Sequence, residues 1–183
     1  ISDLAVSTDD NEIADIAEAL GVRVIVRPNE LAQDNTQTLP VLQHALNESG
    51  GGFDAIITLQ PTSPLRKASK IISAVKTVSE QNFFSIVSAT KMREHPYECF
   101  VQKSEGWSYL SKPSHQMAGR QDYDDKYFFI DGSFYFASVD FLRKNQTFLV
   151  ENTTTFYFLD HRWPIDIDEP EDIVMAEAFE EYF

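Results

Sequence analysis

Cysteine is nearly absent: Cys99 stands alone in 183 residues, so no internal disulfide can form, and the chain suits a reducing cytoplasm. Positive charge is scarce as well. Lysine and arginine number 15 against 29 aspartates and glutamates, a formal net charge of -14. That balance excludes nucleic acid as a partner, because a phosphate backbone demands a basic face. It also means that a small phosphorylated ligand needs a divalent metal or borrowed cations to be held. No apolar run is long enough to span a bilayer, and no signal peptide is visible. The four histidines, His44, His95, His115 and His161, show no ligand spacing, which excludes a zinc site built from them. Internal repeats and low-complexity tracts are missing too.

What is present is a regular alternation of strand and helix. Hydrophobic residues make up 43% of the chain, enough at this length for one well-buried domain over residues 1–183. Leu4 to Ser7 reads as a strand, followed by a helix from Asn11 to Leu20 capped by Asp9 or Asp10 and closed by Gly21. Val22 to Val26 is a second strand. A helix over Thr38 to Glu48, a strand over Ala55 to Leu59, a helix over Ala68 to Glu80 and a strand over Ser85 to Ala89 continue the pattern. Such alternation with short links predicts an α/β fold, a mostly parallel sheet covered on both faces. From Lys91 to Lys126 the rhythm breaks, and an inserted excursion with a few antiparallel strands is expected. Short strands over Tyr127 to Ile130 and Phe134 to Ala137, a helix near Val139 to Lys144, a strand over Thr154 to Phe158 and a last helix from Ile173 complete the reading.

Two constellations carry chemistry. The first is Gln60-Pro61-Thr62-Ser63-Pro64-Leu65-Arg66, set where a strand hands over to a helix, the edge at which open α/β sheets place ligands. Its prolines stiffen the turn, and Gln60, Thr62, Ser63 and Arg66 offer amide, hydroxyl and guanidinium groups. The second is Ile165-Asp166-Ile167-Asp168. In an extended segment the two carboxylates point to one side and the isoleucines to the other. Such a pair suits a hard cation such as Mg²⁺, bound with substrate phosphates. Asp168 also suits a helix N-cap, with Pro170 in the first turn and Glu171 at the reciprocal position. Asp166 is read as buried between the isoleucines, where a charge needs a partner.

These segments, with Val6-Ser7-Thr8-Asp9 and Arg27-Pro28 followed by Glu30-Leu31-Ala32, lie in the order and approximate spacing of the acylneuraminate cytidylyltransferases, and the chain resembles that family over essentially its whole length. The resemblance implies a Rossmann-like three-layer α/β/α fold with an inserted dimerisation element, here residues 91–126, and a homodimer. It implies transfer of CMP from CTP to the anomeric hydroxyl of a nonulosonic (sialic-acid-like) sugar, with release of pyrophosphate. That reaction asks for charge neutralisation on the triphosphate, in-line positioning of the hydroxyl and its deprotonation. By match of motif, Asp166 and Asp168 would hold Mg²⁺ and carry the catalysis. Ser7 would lie near the cytidine end of CTP, and Gln60, Thr62, Arg120 and Tyr135 would face the sugar. Without the resemblance, Arg120 reads as a surface or dimer-face arginine and Tyr135 as a core residue whose hydroxyl finds one partner.

Two departures from the family pattern set further expectations. The Gly-rich phosphate loop of the family is not in this chain, which opens on Ile1 in strand-like sequence. A segment upstream is therefore expected, and the 183 residues alone are expected to turn over poorly or not at all. In Asp131-Gly132-Ser133-Phe134-Tyr135 an aspartate stands where the commonest family form has asparagine; it cannot donate the amide hydrogen bond and would repel a sugar carboxylate beside it. The alternatives are a non-catalytic nucleotide-sugar or scaffold module of the same fold, and a sugar nucleotidyltransferase of other nucleotide or sugar specificity.

Overall fold

The computed structural model describes residues 1–81, 84–112, 122–123, 127–160 and 164–181, and the chain divides into two compact units, Ile1–Asp54 and Ala55–Phe183. In the first unit, β1 (Ala5–Thr8) and β2 (Arg23–Val26) pair in parallel, with α1 (Asn11–Ala19) between them and α2 (Thr38–Glu48) after them. Asp10 is the residue that caps α1, its carboxylate accepting the Ile13 N–H at 2.9 Å. Gly21, at φ 72°, supplies the left-handed step that turns the chain from α1 into β2.

The second unit is built on a four-stranded sheet in the order β3-β7-β4-β8, formed by Ala55–Thr58, Phe128–Ser138, Ser85–Lys91 and Thr155–Leu159. The α/β class holds, and the sheet is mixed. β4 and β8 run parallel, while β7 lies between β3 and β4 and is antiparallel to both. Helix α3 (Ala68–Gln81) covers one face; its Ile71 and Ala74 pack with Ile86 of β4 and with Phe134 and Phe136 of β7 in the core. In the irregular stretch, β5 (Phe100–Gln102) and β6 (Trp107–Tyr109) form a separate hairpin, closed by the Lys103 N–H donating to the Gly106 carbonyl at 3.0 Å. The short helix α4 (Val139–Asn145) follows β7, and α5 (Pro170–Glu180) ends the unit.

One correction concerns β7. The sequence suggests two short strands, Tyr127 to Ile130 and Phe134 to Ala137, whereas the structure has one eleven-residue strand that runs through Asp131-Gly132-Ser133. Those three residues serve a bulge. Between Val87 and Ala89 a two-residue step on β4 is matched by a five-residue step on β7, from Tyr135 to Ile130. Gly132, at φ 75°, takes the conformation that other residues resist.

Candidate active site

The turn that follows β3 is fixed by its own backbone. The Ser63 N–H donates to the Gln60 carbonyl at 3.2 Å, closing a turn with Pro61 at its second position, where the ring presets φ. The Arg66 guanidinium donates to the same carbonyl and so ties the far end of the motif back to its start. Burial pulls the Arg66 pKa below its ordinary value, opposed by the nearby carboxylate of Asp131. Ser63 is buried; Gln60 and Thr62 are half-buried.

Against this turn lie the two other segments of the site. The Ile167 N–H donates to the Thr62 carbonyl at 2.7 Å, which docks the double-aspartate run on the turn. Ser63 Oγ donates to the Asp131 carbonyl at 3.4 Å, which docks the β7 bulge on it. Gly132 sits at the junction: a methyl group added there would come 2.9 Å from Ser63 Oγ and 4.0 Å from Asp166 Oδ2. Gln60, Thr62, Tyr135 and Asp166 are thereby gathered at the C-terminal end of β3. Ser7 belongs to the first unit, where Arg27 donates to its carbonyl at 2.5 Å and to its hydroxyl at 3.3 Å. Arg120 and His161 lie outside the described residues.

The double-aspartate run alternates as an extended segment should, Ile165 buried and Asp166 and Asp168 exposed. Two expectations need correcting. Asp166 is not buried between the isoleucines; its neighbours' anchoring turns it outward, so its charge stays hydrated. Asp168 is not the cap of α5 either. Glu169 holds that position, and the Asp172 carboxylate accepts the N–H groups of Glu169 at 2.9 Å and Asp168 at 3.1 Å. Asp172 thus does the capping, and the Asp168 carboxylate has no hydrogen-bond donor among the described residues. Two exposed, unengaged carboxylates on one side of a backbone fit Mg²⁺ as hard oxygen donors. Among the described residues no cluster of three or more His, Cys, Asp or Glu could hold a metal by itself, so phosphate or water oxygens would complete the shell.

Tyr135 pairs with Thr58 of β3 and Val87 of β4, and its ring packs on Phe148 at 5.5 Å. Burial, then the charges of Asp131 and Asp166, push its phenol above the ordinary tyrosine range. The hydroxyl therefore stays a neutral donor at neutral pH. The sign of the linkage is definite. The folded chain holds the phenolic proton more tightly than the unfolded chain, so this group's stabilisation is complete below the unfolded pKa of about 10 and is lost as pH rises through the folded value. Tyr135→Phe is expected to remove one late step from the phenolate absorbance titration and to soften the alkaline loss of stability. An unchanged titration would show that Tyr135 ionises with the other tyrosines.

Asp131 departs furthest from the expectation of a group beside the sugar carboxylate. Its carboxylate does not face a ligand. It is turned into the sheet, 4% exposed, and accepts from Ser88 Oγ at 2.5 Å, Thr90 Oγ1 at 2.7 Å and the Ser133 N–H at 3.0 Å. Its partners Ser88 and Thr90 carry no motif of their own. Their signal is that Ser85, Ser88 and Thr90 are interspersed with Ile86, Val87 and Ala89 in one strand, and buried polar groups there require partners.

Comparison with known proteins places the chain in a family. A cytidylyltransferase family model matches residues 1–150. The chain is 31% identical over 179 residues to the post-translational flagellin modification protein B of Campylobacter coli, covering 95% of this chain and 75% of that protein. It is 30% identical over 184 residues to the CMP-N,N'-diacetyllegionaminic acid synthase of Legionella pneumophila, covering 98% and 78%. It is 28% identical to the N-acylneuraminate cytidylyltransferase A of Danio rerio, covering 94% of this chain but 39% of that longer protein. The solved structure of CMP:2-keto-3-deoxy-manno-octonic acid synthetase complexed with CTP shares the fold, with a TM-score of 0.69 at 13% identity, over 100% of this chain and 82% of the other. The 4-diphosphocytidyl-2C-methyl-D-erythritol synthase of Anaerococcus prevotii does so with a TM-score of 0.67 at 13% identity, over 99% and 79%. The chain is a nucleotidyltransferase and belongs to the cytidylyltransferase family, in the group of the acylneuraminate cytidylyltransferases.

Proposed function

We propose that this enzyme transfers CMP from CTP to the anomeric hydroxyl of a nonulosonic sugar acid, releasing pyrophosphate. The observation that carries the reading is the docking of Asp166 beside Gly132 and the Thr62-Ser63 turn, which sets the outward carboxylate next to the groups suited to a polyhydroxylated ligand. Asp166 and Asp168 would hold Mg²⁺, which when bound neutralises the triphosphate and polarises the α-phosphate. Gln60, Thr62 and Tyr135 orient the sugar: among the described residues neither the Gln60 amide nor the Tyr135 hydroxyl has a hydrogen-bond partner, so both are available to hydroxyl or carboxylate oxygens. Ser7, in the first unit, is assigned to the cytidine end of CTP, and Arg120 to the sugar, both by motif.

The inward turn of Asp131 removes the expected repulsion of a sugar carboxylate, so that residue does not argue against any nonulosonate. A homodimer through residues 91–126 is part of the proposal. Phe100, Trp107 and Tyr109 pack edge to face on the β5–β6 hairpin and remain exposed, as an unpaired contact face would be. No helix among the described residues is long and apolar enough to cross a membrane. A cytoplasmic location is also proposed and rests on the lone Cys99. The test is pyrophosphate release with CTP, UTP and ATP against a panel of nonulosonic acids and an eight-carbon 2-keto sugar acid. Release is expected to be weak with the 183 residues alone and to require CTP and a nonulosonic acid; preference for UTP or for the shorter sugar would overturn the assignment.

A further inference from the structure

The bulge in β7 leaves buried backbone without its ladder partners, and β4 answers with side chains. Opposite the bulge, Ser88 is fully buried. Its hydroxyl accepts the Phe134 N–H at 3.0 Å and donates to Asp131 Oδ1 at 2.5 Å. Thr90, 2% exposed, donates to the other carboxylate oxygen, and the Ser133 N–H donates back to the first. Three donors and the nearby Arg66 guanidinium offset the cost of burying a carboxylate. On its other side the same stretch of backbone meets the site. The Asp131 carbonyl takes the Ser63 hydroxyl, and Gly132 faces both Ser63 Oγ and Asp166 Oδ2.

We propose that Asp131 is a positioning residue: by locking the β7 bulge onto Ser88 and Thr90 it fixes the spacing between the Ser63 turn and Asp166. It touches no substrate and acts only through its carbonyl and Gly132. Two details of the geometry support this over a purely local role. The bulge has three extra residues where one would suffice to interrupt pairing, and the extra length is what brings Gly132 to the turn. A side chain at Gly132 would wedge the two apart, so the close approach is built in.

The inference rests on the proposed reading for what Asp166 holds, and its experiment separates the two. Mn²⁺ binding to the full chain in the presence of CTP is followed by electron paramagnetic resonance, beside kcat, KM and Tm, for the wild type and for Asp166→Asn, Asp131→Asn, Asp131→Ala and Thr90→Val. Asp131→Ala is expected to weaken Mn²⁺ binding by roughly ten- to a hundred-fold, in the range seen when a residue orienting a metal ligand is lost. Its kcat should fall by a similar factor with KM for the sugar little changed. Asp131→Asn keeps one acceptor oxygen for Ser88 and Ser133, and its amide can donate to Thr90, so it should stay within about three-fold of the wild type. Thr90→Val, which leaves one carboxylate oxygen without its donor, should fall between and serves where Asp131→Ala does not fold. A lowered Tm with unchanged Mn²⁺ affinity in the folded Asp131→Ala or Thr90→Val protein would overturn the proposal. Should the wild type bind Mn²⁺ through Asp166 and show the variant pattern while transferring no CMP to any sugar, the reaction assignment falls and the positioning role stands.

Discussion

Asp166→Asn will lower kcat by roughly a hundred- to a thousand-fold, the cost of removing one group that stabilises charge developing in a phosphoryl-transfer transition state. The fold should hardly notice. Asp166 is exposed and accepts no hydrogen bond from the described residues, and such surface substitutions stay within about 0.5 kcal/mol. The variant should therefore match the wild type in Tm and circular dichroism while losing pyrophosphate release. The loss should be only partly recovered by excess Mg²⁺, because asparagine offers one neutral oxygen in place of a charged pair. An internal check comes from Tyr135, whose phenol is held up by burial first and then by Asp131 and Asp166. Neutralising Asp166 should let that phenol titrate somewhat earlier. Wild-type turnover in Asp166→Asn at limiting Mg²⁺ would remove Asp166 from the metal site and with it the proposed division of roles.

Much of this site was legible because its residue types speak for their backbone. A turn of Gln60-Pro61-Thr62-Ser63-Pro64 after an apolar run can do little other than cap a strand end, since the prolines fix φ and withhold N–H groups. Alternation along Ile165 to Asp168 likewise sets which side the carboxylates take, and only the burial of Asp166 differs, because sequence cannot say how deep an extended segment lies. The position of the α5 cap slipped by one residue for a similar reason. Asp168 is the better N-cap by residue type, and the cap falls on Glu169 because the Asp172 carboxylate accepts the N–H groups of both. What could not be read was the bulge. Asp131-Gly132-Ser133 has the chemistry of a turn, and nothing local distinguishes a turn between strands from a bulge inside one. That decision belongs to Ser88 and Thr90, more than forty positions earlier, whose hydroxyls supply the missing partners.

Phe134→Ala should cost about 3–5 kcal/mol, the usual price of emptying an aromatic site in a closed core. The ring is 2% exposed, packs with Ile71, Ala74, Ile86 and Phe136, and meets Tyr157 at 5.8 Å between centroids. These partners come from α3, both central strands and β8, so no single element can shift to fill the space. Against a typical total of about 5–15 kcal/mol, that loss is a large share of the stability. Urea denaturation should show a lower midpoint with an unchanged slope, since the surface exposed on unfolding hardly alters. Phe134→Leu, which keeps most of the volume, should lose less than half as much. The variant also probes the site from behind, because the Phe134 N–H is the group that Ser88 holds across the bulge. If packing and that hydrogen bond fix the bulge together, Phe134→Ala and Thr90→Val combined will destabilise by a different amount from the sum of their separate effects, as coupled neighbours do. Strict additivity would mean that the core holds α3 against the sheet but leaves the bulge, and with it Gly132 and Asp166, to the polar cluster alone.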